Sequence, residues 1–527
     1  MSDSPVKDAK SIPAAREVQL LLTAHEAYPE LERLFLAAKT EIWGSFLVFD
    51  LKTALRSDEG LAIGRTWFDL VLHTLRRGVA ITMTISDVDP VLRAQMHRGT
   101  WRSVRMFCAA ADLADAGSRL RIVPAMHASE TGIVPRILLS PVIMLRLWRT
   151  ARWLNRLEPA IRAASLREMP GVARRMREGA SGRLRPRLWP IPRLFPGTHH
   201  QKIAVFDRQI LYVGGLDLDE RRYDTPDHDQ VAEQTWHDVQ LRITGGAAVA
   251  AAQAHLETFL ATTEGRAPAA PPSGLLRTLS RQRANPGLHL GPEPVLAELR
   301  DAHLAAIARA RHLIYLETQY FRDRGLAHAL ARAAQRNPAL SLILILPGAP
   351  DDLAFEGKMG IDVRGGEWLQ SRCIRTIKKA FGTRLFVGGP AQRRADAGSH
   401  PRGRDSLHGA PIIYVHAKVS IFDDAEAIIS SANLNGRSLR WDTEAGVRLQ
   451  GADVIAPIRH RIMAHWLPQD AGAAYLDPRQ AVRHWRALGI ANARAAPEKR
   501  QGFIVPYDLR AAERDGGAIA ILPDEMV

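Results

Sequence analysis

Apolar residues along this chain fall into two alternating patterns. Short runs of consecutive apolar positions read as buried strands, and longer stretches with apolar residues every three or four positions read as amphipathic helices. The alternation occurs twice. A strand at Val18–Leu22 leads to a helix at Tyr28–Lys39, a strand at Glu41–Asp50, a helix at Trp67–Arg77 and a β run at Val79–Asp87. The second pass runs through a strand at Leu288–Leu290, a helix at Val295–Arg309, a strand at Leu313–Phe321, a helix at Leu326–Gln335 and a β run at Leu340–Gly348. Each pass closes on another helix, Ala247–Thr262 or Ala456–Trp466. This predicts an α/β fold in which helices cover largely buried strands. The repetition predicts two duplicated halves, packed as a pseudo-dimer with a site at their seam. The expected boundaries are 15–265 for the first half, 266–287 for a linker rich in Pro, Gly and Ser, and 288–466 for the second half. Residues 467–527 show little apolar periodicity and are expected to wrap the surface.

Setting His200 on His416 brings the two passes into register and exposes a shared motif. The first copy reads THHQKIAVFDRQILYVGGLD and the second YVHAKVSIFDDAEAIISSAN. In both, a His and a Lys two positions apart, His200/Lys202 and His416/Lys418, project from one face of a strand. An apolar run leads to Asp207 or Asp423, and a second strand ends in Gly214-Gly215-Leu216-Asp217 or Ser430-Ser431-Ala432-Asn433. A lone His-x-Lys is usually a solvated strand end; two copies in register point to chemistry. Cleaving a phosphodiester needs a nucleophile, a proton for the leaving alkoxide and cations around the phosphoryl oxygens. Imidazole titrates near neutral pH, so one histidine can attack while the other donates a proton. Two lysines can clamp the oxygens as point charges without a metal. Each histidine also needs an acid to fix its tautomer. Asp238 is expected to serve His200, and Glu444 to serve His416. Asp207 and Asp423 are expected to hold the loops and the lysines. His199 is out of register with Lys202, and Trp236 and Tyr320 are expected in walls or core.

The doubled pattern H-x-K-x4-D-x6-G-S-x-N resembles the signature of the phospholipase D superfamily. The segments WHDVQL (236–241), IYLETQYF (314–321) and ANLNGRSLRWDTE (432–444) are similar to phospholipases D rather than to the small nucleases of that superfamily. The likeness spans roughly residues 15–466. It departs at Gly215, where the pattern has Ser, at Asp217, where it has Asn, and at Ser430, where it has Gly. The resemblance implies two phospholipase D-like α-β-α domains. It makes His200 the nucleophile that becomes phosphohistidine and His416 the general acid. Lys202, Asp207, Lys418 and Asp423 complete the catalytic set, with Asp217, Ser431, Asn433, Asp238 and Glu444 in support and neither metal nor cofactor. It further implies cleavage of the distal phosphodiester bond of a glycerophospholipid, possible transfer to an alcohol, and a monomer. Cardiolipin or phosphatidylserine synthesis would be the same chemistry with a particular acceptor. The three segments disfavour a nuclease.

Charge adds a second theme. The chain has 527 residues and a formal net charge of +15, which favours anionic partners. Much of the excess sits in residues 134–195, an insertion that has no counterpart as long in the second half and holds 14 Arg, no Lys and three acids. Arg146, Arg149, Arg152 and Arg156 recur near a helical period, with Met144, Leu147, Trp148, Ala151 and Leu154 on the other side. A basic amphipathic helix carrying Trp is an interfacial pattern, so this segment is expected to dock on an anionic membrane surface. The alternative is a lid whose apolar side packs on the protein. Nucleic acid is a weaker expectation. The two cysteines, Cys108 and Cys373, lack metal-ligand spacing and indicate no zinc site or disulfide framework. The N-terminus lacks the layout of a secretory signal, and the most apolar stretch, Ile137–Leu145, is broken by Pro141. The expected location is cytoplasmic or peripheral to a membrane, or outside the cell by a signal-independent route.

Overall fold

The computed structural model describes residues 17–271, 273–396, 404–518 and 525. Residues 1–16, where a secretory signal would begin, lie outside them. The chain forms β1 (Glu17–Leu22), β2 (Glu41–Phe46), β3 (Ala80–Asp87) and β4 (Leu120–Met126), then a ribbon in the insertion, β5 (Met176–Glu178) and β6 (Leu184–Pro186). Next come β7 (Ile203–Phe206), β8 (Ile210–Gly214) and β9 (Val239–Thr244). The second half supplies β10 (Leu276–Arg281), β11 (Glu293–Ala297), β12 (Leu313–Glu317), β13 (Ser341–Ile345) and β14 (Leu385–Pro390). A second ribbon, β15 (Ser406–Leu407) and β16 (Ala410–Pro411), precedes β17 (Val419–Phe422), β18 (Glu426–Ser430), β19 (Glu444–Gln450) and β20 (Ile504–Pro506).

Two mixed sheets result, ordered β1-β9-β8-β7-β2-β3-β4 and β11-β10-β19-β18-β17-β12-β13-β14-β20. From β10 to β14 the second sheet repeats the strand order of the first. In each, one run of three strands is parallel and needs helical crossovers. The helix Trp67–Arg76 joins β2 to β3 and starts in a capping box between Thr66 and Asp69. The helix Arg324–Arg336 joins β12 to β13, and the Asp323 side chain caps it through Leu326 N. Strands β7 and β17 begin one residue after the motif lysines, so each His and Lys precedes a strand rather than projecting from it, and both strands are buried at every position. A single core cluster takes Val205, Val213 and Leu241 from the first sheet and Ile421, Ile429 and Val447 from the second.

Three expectations change at the level of elements. Leu288–Leu290 is not a strand: Leu288 is exposed, and His289 sits in a turn closed on Pro286. The strand of that region is β10, inside the stretch read as linker. Its Arg277 is buried against Glu298, so a charged residue sits where an apolar one was sought. The C-terminal extension is not a wrapping: β20 extends the second sheet beside β14, and Trp485 is buried against Tyr315 and Phe386. In the insertion, the helix Ser140–Leu154 turns Ile143, Leu147, Ala151 and Leu154 into a small core with Met169, Val172, Met176 and Leu194. The stripe expected to meet lipid is therefore spent on packing, while Trp148 and the four arginines stay exposed. Among the described residues, no helix is long and apolar enough to cross a membrane.

Candidate active site

The two motif histidines stand just ahead of β7 and β17, where each chain segment pairs with the other half. His200 N donates to Thr443 O at 2.9 Å, and Thr443 N returns a bond to Thr198 O. In the same manner His416 N donates to His237 O at 2.8 Å, and His237 N bonds Tyr414 O. Thr443 and His237 each precede an acidic residue, so this pairing sets each acid beside the histidine of the opposite half. His200 Nδ1 lies 3.0 Å from Glu444 Oε1, and His416 Nδ1 lies 2.6 Å from Asp238 Oδ2. The expected partners are thus exchanged. Sequence spacing within one half cannot reveal a register between halves.

The lysines follow their histidines. Lys202 Nζ donates to His200 O at 2.5 Å and stands 3.5 Å from Asp217 Oδ2. Lys418 Nζ donates to His416 O and lies 2.8 Å from His416 Nδ1. Burial pushes Lys418 down to about 7, against the pull of Asp238 and with help from Lys202. Burial also lowers His416 well below the ordinary histidine range, and Lys418, Arg222 and Lys202 reinforce it. Burial alone would raise Glu444; the facing His200 and Lys202 outweigh it and hold this carboxyl low. Asp238 is raised, chiefly by burial, despite Lys418. His200 keeps 16% of its side chain exposed and His416 only 6%. The two halves are therefore electrostatically unequal.

The departures from the motif have local causes. Ser431 Oγ donates to Glu444 and steadies it. At the matching position, a Cβ on Gly215 would meet Asp238 Oδ1 at 2.1 Å, so the close approach of Asp238 requires glycine. Asp217 is buried, accepts from Val48 N and Arg222, and faces Lys202. It neutralises cations and is held low by Lys202 and Arg222 against burial, which leaves no free acceptor role toward phosphate. Asn433 donates to Gln319 at 3.2 Å, and its Oδ1 is buried without a partner.

Asp207 and Asp423 lie outside this cluster. Asp207 accepts from the backbone N–H groups of Lys39, Thr40 and Glu41 at the start of β2. Asp423 does the same with Arg311, His312 and Leu313 before β12. Both adopt positive φ in the hairpin turn, which Asp tolerates. The four residues of β7 separate Asp207 from Lys202, a span of roughly 16 Å along an extended strand. These aspartates fasten loops; neither touches a lysine of the motif. His199 turns into the core against Thr443 Oγ1, as a residue out of register should.

Two site groups were not foreseen. Trp236 lies over His416 with ring centroids 4.6 Å apart, closer to the chemistry than a wall residue. Arg222 joins Asp217 and stacks on Trp236. Its only sequence signal is the Arg221-Arg222 pair shortly after the first motif, and the second half carries Arg437-Ser438 there.

A family model described as "Cardiolipin synthase, PLD-like domain" matches residues 304–466, the part holding the second motif and Glu444. Phospholipase D1 of Schizosaccharomyces pombe is 26% identical over 339 residues, covering 47% of this chain and 24% of that protein. Residues 304–466 thus match a phospholipase D-like domain, and these likenesses support membership of the phospholipase D superfamily. Phospholipase D alpha 1 of Carica papaya is 22% identical over 356 residues, covering 46% of this chain and 44% of the plant protein. The chain thus spans less than half the length of these curated relatives. The crystal structure of phosphatidylserine synthase from Haemophilus influenzae matches 86% of this chain and 88% of that one, with a TM-score of 0.51 and 13% identity. That likeness shows a shared fold.

Proposed function

We propose that this chain is a phospholipase D-type phosphodiesterase whose two halves form a pseudo-dimer, with one site at the seam that cleaves the distal phosphodiester bond of a glycerophospholipid. The crossed pairing of His200 with Glu444 and His416 with Asp238 carries this reading, because it orients two imidazoles toward one phosphoryl group. Glu444 holds the Nδ1 proton of His200, so Nε2 offers its lone pair to phosphorus. The P–N bond forms as the bond to the headgroup oxygen breaks, and His416 Nε2 gives that oxygen its proton. His416 then takes a proton from water as the water oxygen attacks phosphorus. Phosphatidic acid leaves and His200 is restored. An alcohol in place of water gives transphosphatidylation. In the resting site His416 is unprotonated, owing to burial and then to Lys418, Arg222 and Lys202. An anionic phosphodiester between the lysines offsets those cations and raises His416 toward the acid form it needs.

Two surface features favour a lipid substrate. An apolar groove lined by Leu47, Val48, Ile85, Val88 and Met96 opens beside Asp219, two residues from Asp217. On the insertion, Ile137, Leu138, Val142, Leu145, Trp148 and Trp189 are exposed, close in sequence to exposed arginines. Large exposed apolar groups mixed with Arg suit an anionic bilayer surface. The test is to incubate the protein with phosphatidylcholine, phosphatidylglycerol, single-stranded DNA and ethanol. Phosphatidic acid and phosphatidylethanol are expected. His200→Ala and His416→Ala are each expected to lose activity by about 10²–10⁴-fold or more. Cleaved DNA with intact lipid would overturn the reading.

A further inference from the structure

We propose that His228, His237 and His465 bind one divalent cation of the zinc class, clamping the two halves together behind the active site. One ring nitrogen of each lies within 4.8 Å of the others. His228 Nε2 and His465 Nε2 are 2.9 Å apart. Two zinc–nitrogen bonds of about 2.0–2.1 Å at a tetrahedral angle would separate them by roughly 3.3 Å, a small adjustment.

The surroundings match what a metal-bound imidazole needs. Ligating histidines usually donate their far N–H to a carboxylate, which fixes the tautomer and frees the other lone pair. His228 Nδ1 lies 2.6 Å from Asp224 Oδ2, so its Nε2 carries the lone pair, which faces His465 Nε2 in a hydrogen bond that a cation would replace. His237 Nε2 lies 3.1 Å from Glu317 Oε2, and its Nδ1 is buried without a hydrogen-bond partner. Asp224 and Glu317 are fully buried. Among the described residues, neither makes an ion pair with Lys or Arg; their ion-pair partners are His228 and His237. Two buried carboxylates with no fixed cation are rare, and a dication would neutralise both. Trp466 and Phe503 wall the cluster, and half-buried His465, at the end of the helix Ala452–His465, gives a route in. Three imidazoles suit zinc and neighbouring transition ions and disfavour Ca²⁺ and Mg²⁺. Cysteine spacing could not signal this site, because its ligands are histidines and His465 lies in the other half of the chain from His228 and His237.

A clamp here would be structural. It joins the loop before β9, which carries Trp236 and Asp238, to the last helix of the second half. Binding is read without turnover, so this inference and the proposed activity can fail separately. The full-length protein is stripped with a chelator and returned to Zn²⁺ or Co²⁺. Expected are one zinc per chain after gel filtration, the intense visible bands of tetrahedral cobalt, and a melting temperature raised by zinc. His465→Ala should lose all three, while His460→Ala, an exposed neighbour on the same helix, keeps them. His465→Cys should add a thiolate-to-cobalt charge-transfer band, which only a direct ligand can produce. A wild-type chain that retains no zinc and stays colourless with cobalt overturns the proposal. So does a His465→Ala chain that binds both metals like wild type, or a folded His465→Cys chain without the new band.

Discussion

Single residues in this site are set by what lies one bond away across the seam. Lys418 has been pushed down to about 7 by burial, so in the free protein its charge fades as pH rises through that value. An anion binds the charged form, so above about pH 7 binding must take up a proton. Affinity for a diester monoanion such as diethyl phosphate, which does not titrate in this range, should therefore fall by up to about tenfold per pH unit. Below pH 7 it should level off. Calorimetry from pH 6 to 9 checks this; Lys418→Met should bind weakly with a flattened profile, and a wild-type affinity constant across the range would contradict it. Gly215 gives a second prediction. A methyl group there meets Asp238 Oδ1 at 2.1 Å, so Gly215→Ala must displace the carboxylate that orients His416. A misplacement of about 1 Å can cost about 10²-fold, and a fall in kcat of that size with an unchanged melting temperature is expected.

At the scale of elements, the motif strands and most crossover helices were legible because their periodicity is strong. The helix Trp67–Arg76, for example, ends one residue short of its expected bound. What was illegible depended on partners distant in sequence. β10 hides behind the buried Arg277–Glu298 pair, and β20 is a strand only because β14 offers an edge. The insertion was half legible: its helix and arginines are where periodicity put them, but the apolar stripe meets the insertion's own core. The proposed lipid contact therefore moves to Leu138, Trp148 and Trp189, which are 70%, 44% and 83% exposed. Burying one such side chain is worth about 1.5–3 kcal/mol, and each 1.4 kcal/mol is tenfold. Leu138→Ser with Trp189→Ser should lower binding to phosphatidylglycerol vesicles at least about tenfold in a flotation assay, with hydrolysis of a soluble short-chain substrate unchanged. Unchanged flotation would remove this surface from the membrane.

For the whole molecule, the duplication was readable from two motifs in register, while the way the halves meet was not. The pairing of Glu444 with His200 and of Asp238 with His416 arises from the bridges His199–Thr443 and His237–Val415, which no spacing within one half encodes. The sheets also share one apolar cluster, so neither half has a complete core alone. Calorimetric unfolding of the intact chain should accordingly show one cooperative transition; two well-separated transitions would mean that the halves are independent. The crossed pairing itself is tested most directly with a phosphatidyl ester of p-nitrophenol, a leaving group that departs without a proton. A variant lacking the general acid keeps the first burst of nitrophenol, and a variant lacking the nucleophile does not. The burst is measured in His200→Asn, His416→Asn, Asp238→Asn and Glu444→Gln. The account predicts that Asp238→Asn behaves as His416→Asn does, and Glu444→Gln as His200→Asn does, whichever histidine attacks. Asp238→Asn matching His200→Asn, with Glu444→Gln matching His416→Asn, would contradict it.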